Sequence, residues 1–83
     1  MSPIRGGLSY AAMARPLRKR SLQLAGHRTS IALEDEFWAV LDDMARTRRS
    51  SLAALVLRID SERGERPLAS ACRVAALAHA QAR

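Results

Sequence analysis

The chain has 83 residues, 14 basic against 8 acidic, and its aromatics are Tyr10, Phe37 and Trp38 alone. That length holds one small domain with a core made mostly of Leu, Ile, Val, Met and Ala, and leaves little room for the buried pocket that catalysis prefers. A lone cysteine, Cys72, excludes an intrachain disulfide, and no apolar run approaches the roughly 20 residues that cross a bilayer.

The charge is unevenly placed. Residues 1–33 carry Arg5, Arg15, Arg18, Lys19, Arg20 and Arg28 and no acid, so the whole net charge of +6 sits there. The remainder is balanced. Such asymmetry points to a polyanion, nucleic acid ahead of an anionic membrane surface. Pro3, Gly6, Gly7 and Pro16 interrupt residues 1–17, which are expected to form a flexible basic tail, with room for one helical turn over 8–13. The domain is expected to span 18–83. The N-terminus lacks a secretory apolar core, since Arg5 and Arg15 interrupt it, and a cytoplasmic location is expected.

Arg18-Lys19-Arg20 forms a basic cluster, and Ser21-Leu22-Gln23-Leu24 then alternates polar with apolar. Ala25-Gly26 breaks the run. A hairpin with the segment that follows is conceivable, but the favoured Asn-Gly turn is missing. An extended lead-in is therefore the expectation. From His27 to Leu33 the alternation is clear: Thr29, Ile31 and Leu33 share one face, and Arg28, Ser30 and Ala32 the other. A lone strand cannot satisfy its own backbone groups, so this one needs a partner, and a second copy of the chain is the expected one.

At Glu34, Asp35 and Glu36 the period changes from two to 3.6. A first helix is predicted over about 34–47, with acids at its positive end and Arg46, Arg48 and Arg49 at the other. Phe37, Val40, Leu41 and Met44 make its apolar stripe. Asp35, Asp42, Asp43 and Arg46 face away, and Trp38 lies beside the stripe, in the core or at an interface. Ser50 or Ser51 is the natural N-cap of a second helix carrying Leu52, Leu55, Val56 and Ile59, which stops at Gly64. A third helix starts at Pro67. Leu68, Ala71, Cys72, Ala75 and His79 share a face that Val74 and Leu77 broaden.

The search for chemistry returns little. His27 and His79 have no metal-ligand neighbour at useful spacing. The paired acids at 35–36 and 42–43 read as a solvated helix face, and no phosphate-binding loop or nucleophile triad is present. No catalytic residue, metal or cofactor is expected, and the chain is not expected to be an enzyme. What remains is the strand. Two copies paired antiparallel would turn Arg28, Ser30 and Ala32 outward as a ribbon, and a two-stranded ribbon fits the major groove of DNA.

Several motifs sit in this frame: Lys19-Arg20-Ser21, Gly26 to Ser30, Leu33-Glu34 with Phe37-Trp38, and Ser70-Ala71 with Arg73. Over about 18–78 the chain resembles the small bacterial ribbon-helix-helix domain family, within the MetJ/Arc-like superfamily of β-ribbon DNA readers. The fold then expected is mostly α with one short N-terminal strand paired across a homodimer, and an additional C-terminal helix. The resemblance implies a homodimeric DNA-binding protein in transcriptional control, with double-stranded DNA and a second copy as partners and no membrane role. It carries base contact to Arg28, Ser30 and Ala32. Arg18, Lys19, Arg20 and His27 flank them as phosphate contacts. Helix N-termini grip phosphates in this superfamily, here at Ser50-Ser51 or at 68–70. An antitoxin or adaptor that binds a protein partner on the same fold is the alternative.

Overall fold

Alternation with period two occurs twice in succession, and the chain uses both runs. In the computed structural model, which describes residues 16–82, β1 (Arg18–Leu24) and β2 (His27–Leu33) pair antiparallel in register from Arg18↔Leu33 to Leu24↔His27. Most of the tail expected over 1–17, with its helical turn over 8–13, lies outside the described residues. The hairpin corrects two expectations at once: Ser21–Leu24 is a strand, not a lead-in, and the partner of His27–Leu33 comes from the same chain. The reason is local. Ala25 and Gly26 both take positive φ, 50° and 84°, which is what a two-residue type I′ turn requires. Gly26 enters that region freely, while Ala25 enters it at a cost of about 1–2 kcal/mol. A ladder of seven residue pairs outweighs that cost.

Three helices follow: α1 (Asp35–Thr47), α2 (Leu52–Glu62) and α3 (Leu68–Gln81). Glu34 is the N-cap of α1, and Asp35 and Glu36 in its first turn complement the positive end of the helix dipole. Its C-terminus closes with the Ser50 N–H donating to the Ala45 carbonyl at 2.8 Å and the Arg49 N–H to that of Arg46 at 3.1 Å. These are the two bonds of a Schellman motif, and Arg49 holds the left-handed position with φ 55° where Gly is usual. Ser51 is the N-cap of α2, its Oγ accepting from the Ala54 N–H at 3.0 Å. The predicted stop at Gly64 is observed, with φ 62° just past the last turn. Pro67 is the residue immediately before α3, one position earlier than expected.

The core lies between one face of the hairpin and the helices. Leu24, Ile31 and Leu33 enter from the strands, Leu41 and Met44 from α1, Leu55, Val56 and Ile59 from α2, and Ala71, Cys72 and Ala76 from α3. Trp38 is the largest side chain fully buried, 1% exposed, and the stripe of α1 therefore centres on Trp38, Leu41, Met44 and Ala45. Phe37 and Val40, placed on that stripe by periodicity, only pack against its edge. Val74 and Leu77 do not broaden the inner face of α3 but stand 47% and 53% exposed. On α1 the buried face is rotated by about one residue, which 3.6-residue periodicity alone does not resolve. On α3 the expected face of Leu68, Ala71, Cys72 and Ala75 does meet the core and is only narrower than expected.

Candidate nucleic-acid interface

Strand alternation sorts the basic hairpin into two faces. Inward go Arg18, Arg20, Leu22 and Leu24 of β1 beside Leu33, Ile31, Thr29 and His27 of β2; outward go Lys19, Ser21 and Gln23 beside Ala32, Ser30 and Arg28. All three predicted base-contacting positions therefore share the outward face, and β1 doubles it. Ser21 Oγ and Ser30 Oγ lie 3.2 Å apart in the middle of that face. Arg28, Gln23 and Lys19 are exposed, and none of the three has a side-chain partner among the described residues.

The two inward arginines are spent on the fold. Arg20 reaches Asp42 with two hydrogen bonds, 3.1 and 3.3 Å, and its guanidinium lies 4.6 Å from the centroid of the Trp38 ring. Arg18 pairs with Asp35 at 3.2 Å, and its carbonyl accepts the Trp38 indole N–H at 2.8 Å. Asp35 and Asp42 thus do not simply face away: they neutralise the cations that alternation sends toward α1. Of the basic cluster at 18–20, Lys19 alone points outward, and it makes no ion pair among the described residues. His27 is exposed at the turn end of β2, opposite Leu24.

At the other predicted phosphate position the hydroxyls are engaged. Ser51 Oγ caps α2, and Ser50 Oγ donates to the Ser51 carbonyl at 2.9 Å. Just before them, Arg48 and Arg49 are exposed and make no ion pair among the described residues. Sequence reasoning assigned these arginines to the end of α1 and missed their proximity in the chain to the α2 N-terminus. It also missed Ser21 and Gln23, although the alternation of β1 carried the signal.

The rest of the polar framework ties helices together. Glu34 bonds Arg73 of α3 at 3.0 Å, and Arg73 lies 5.7 Å from the centroid of the Phe37 ring. The Glu34 backbone N–H, with help from Arg73, holds the Glu34 carboxyl below its ordinary range against the opposing effect of desolvation. His79 Nε2 meets Asp43 Oδ2 at 3.0 Å, joining α3 to α1. Burial, then the nearby Asp60 charge, push the Cys72 thiol up, which keeps it protonated and unreactive. Among the described residues no His, Cys, Asp and Glu cluster has the form of a metal site. No helix among the described residues is long and apolar enough to cross a membrane.

No curated protein and no solved structure matches the chain. A family model described as a ribbon-helix-helix domain matches residues 17–80, which takes in both strands and nearly all of the three helices. The order strand, helix, helix from His27 onward, the basic hairpin before it and this match agree: the chain belongs to the ribbon-helix-helix domain family.

Proposed function

We propose that this protein is a homodimeric DNA-binding regulator whose hairpin presents its outward face to the major groove. Ribbon-helix-helix domains are regulatory DNA-binding modules rather than enzymes, and the family consists generally of DNA-binding regulators or antitoxins that dimerise. The observation that carries the reading is the sorting of charge by strand alternation. The outward face holds Lys19, Ser21, Gln23, Arg28, Ser30 and Ala32 with no acid among them, while the acids of α1 meet the inward arginines behind it. A surface of donors with no carboxylate suits phosphates and the acceptor edges of guanine.

The dimer follows from what the hairpin leaves open. In an antiparallel pair alternate residues bond across. With Leu24↔His27 closing the turn, the backbone groups of Arg28, Ser30 and Ala32 aim at the free edge of β2. A second copy meets all three when the two-fold axis passes through Ser30, which sets Arg28 opposite the second copy's Ala32. Pairing through the edge of β1 instead would crowd Arg18, Lys19 and Arg20 of both chains, and cations on an edge oppose such pairing. In this reading Ala32 leaves room for the guanidinium across from it. Lys19 flanks the reading face toward phosphates, as do Ser50 and Ser51 through the α2 N-terminus with Arg48 and Arg49 beside it, while His27 approaches them only from the turn end of β2. Arg18 and Arg20 act through the fold.

The test is duplex binding by fluorescence anisotropy alongside a solution mass. The wild type should sediment as a dimer and bind duplex DNA with an affinity that falls steeply as salt rises. Arg28→Ala should cost about 1–3 kcal/mol on preferred duplexes and remove the preference, whereas Lys19→Ala should weaken all duplexes alike and lower the salt slope. Equal losses across all duplexes for Arg28→Ala would sink its base-reading role. The antitoxin or adaptor reading draws on one observation, the exposed Val74 and Leu77 on α3. A stable protein partner co-purifying with a chain that binds no duplex would favour it.

A further inference from the structure

The strand β1 changes how such a dimer can meet DNA, an inference that rests on the DNA-binding reading and the β2 pairing above. Joining two copies along β2 gives a four-stranded sheet with β1 on both flanks, because each β2 already bonds its own β1. Neighbouring strands lie about 4.8 Å apart, so the two flanking strands are separated by about 14 Å. The major groove is about 12 Å wide. A two-stranded ribbon drops into that groove. A four-stranded sheet rests across its mouth, with the flanking strands above the two phosphate backbones.

The side chains fit that placement. On the outward face of β1, Lys19 and Gln23 are exposed donors with no side-chain partner among the described residues, and both Lys and Gln are common phosphate contacts. At the centre, Ser30 has a short side chain whose hydroxyl is already engaged with Ser21 at 3.2 Å. Ala32 has no polar group. Arg28 alone among the central residues is long and charged, and it has no side-chain partner among the described residues.

We propose that the dimer binds as a platform straddling the major groove, in which Lys19 and Gln23 hold phosphates on both rims and Arg28 alone reaches base edges. Ser30 and Ala32 space the two arginines and do not read sequence. The register sets that spacing. With Arg28 opposite the second copy's Ala32, the two Arg28 residues lie four positions apart along the strands, about 14 Å at 3.4 Å per residue. Base pairs also rise by about 3.4 Å, so the arginines address two base pairs about four steps apart. Arginine pairs best with guanine O6 and N7. The ligand is therefore a duplex with two inverted G·C pairs at that spacing and tolerant sequence between them.

The experiment selects bound duplexes from a random pool using the full chain, then measures the selected duplexes by anisotropy. The wild type should select two inverted G·C pairs about four steps apart. Ser30→Ala should keep that motif with affinity changed by less than about twofold. Arg28→Ala should lose roughly tenfold or more on it and select no motif. Gln23→Ala should weaken every duplex alike. Melting curves of these surface variants should match the wild type. The platform is overturned if Ser30→Ala erases a preference between the two G·C pairs, or if Gln23→Ala abolishes preference at one base position. Selection of a single G·C pair, or of a very different spacing, overturns it as well. Failure of the underlying reading is visible earlier, as a wild type that binds no duplex or stays at the monomer mass.

Discussion

Two residues occupy left-handed backbone without being glycine, and they mark where sequence signals were weakest. Ala25 opens the type I′ turn with φ 50°, and Arg49 ends α1 with φ 55°. Asparagine suits the first position of that turn, because its short polar side chain tolerates the left-handed region. Ala25→Asn should therefore stabilise the fold by about 1 kcal/mol, raising the melting temperature by about 4–8 °C for a domain of this size. An unchanged or lowered melting temperature would show that the turn does not limit the hairpin. The same absence of an Asn-Gly pair explains why a hairpin was not the expectation from residues alone. At Trp38 the misreading has a different cause. Its indole N–H finds the Arg18 carbonyl, and Arg20 covers its ring. A buried tryptophan needs such a polar partner, and that partner lies 20 residues away in the chain.

Among the elements, α2 was the most legible, since its cap, apolar spacing and glycine stop all agree on one answer. Its N-cap is a single hydrogen bond from the Ala54 N–H to Ser51 Oγ. Ser51→Ala should cost about 1 kcal/mol, read as a lower urea midpoint with unchanged slope. Ser50→Ala should cost less, because Ser50 Oγ bonds only the adjacent carbonyl of Ser51. The hairpin was half legible. Alternation showed which residues of β2 share a face, and it applied equally to β1, yet it carries no information on which strand is the neighbour. Local turn geometry decided that. The α3 helix was read correctly in extent and in its inner face at Ala71 and Cys72, and too broadly at Val74 and Leu77. An alanine-rich helix offers too little contrast between its faces for periodicity to fix how wide the buried side is.

Across the whole molecule, long-range ion pairs bind separate elements: Arg18 and Arg20 to α1, and Arg73 of α3 to Glu34 before it. The first two are substantially exposed, so their value lies more in placing β1 over Trp38 than in raw stability. Glu34 offers a titration test. Its carboxyl is held below its ordinary range. A depressed acid stabilises the fold above its unfolded value and loses that contribution as pH falls through the folded one. The urea midpoint of the wild type should exceed that of Glu34→Gln at neutral pH, and the gap should close on acidification below about pH 4. A gap that stays constant across that window would show that Glu34 acts without its charge.

Composition and order were enough to establish several things about this chain. They located the cationic region at 1–33, the switch from strand to helix at Glu34, the three helices with their stops, and the shared face of Arg28, Ser30 and Ala32, because each depends on composition or on residues within a few positions of one another. They also carried the family resemblance that the match over 17–80 bears out. Three matters depended on contacts between distant residues and became visible only in the folded molecule. β2 takes its partner from its own chain, Arg18 and Arg20 are turned inward onto α1 acids, and Lys19, Ser21 and Gln23 join the outward face. Alternation tells which residues share a side, but pairing tells which side they share it with, and pairing is a property of two segments brought together in space.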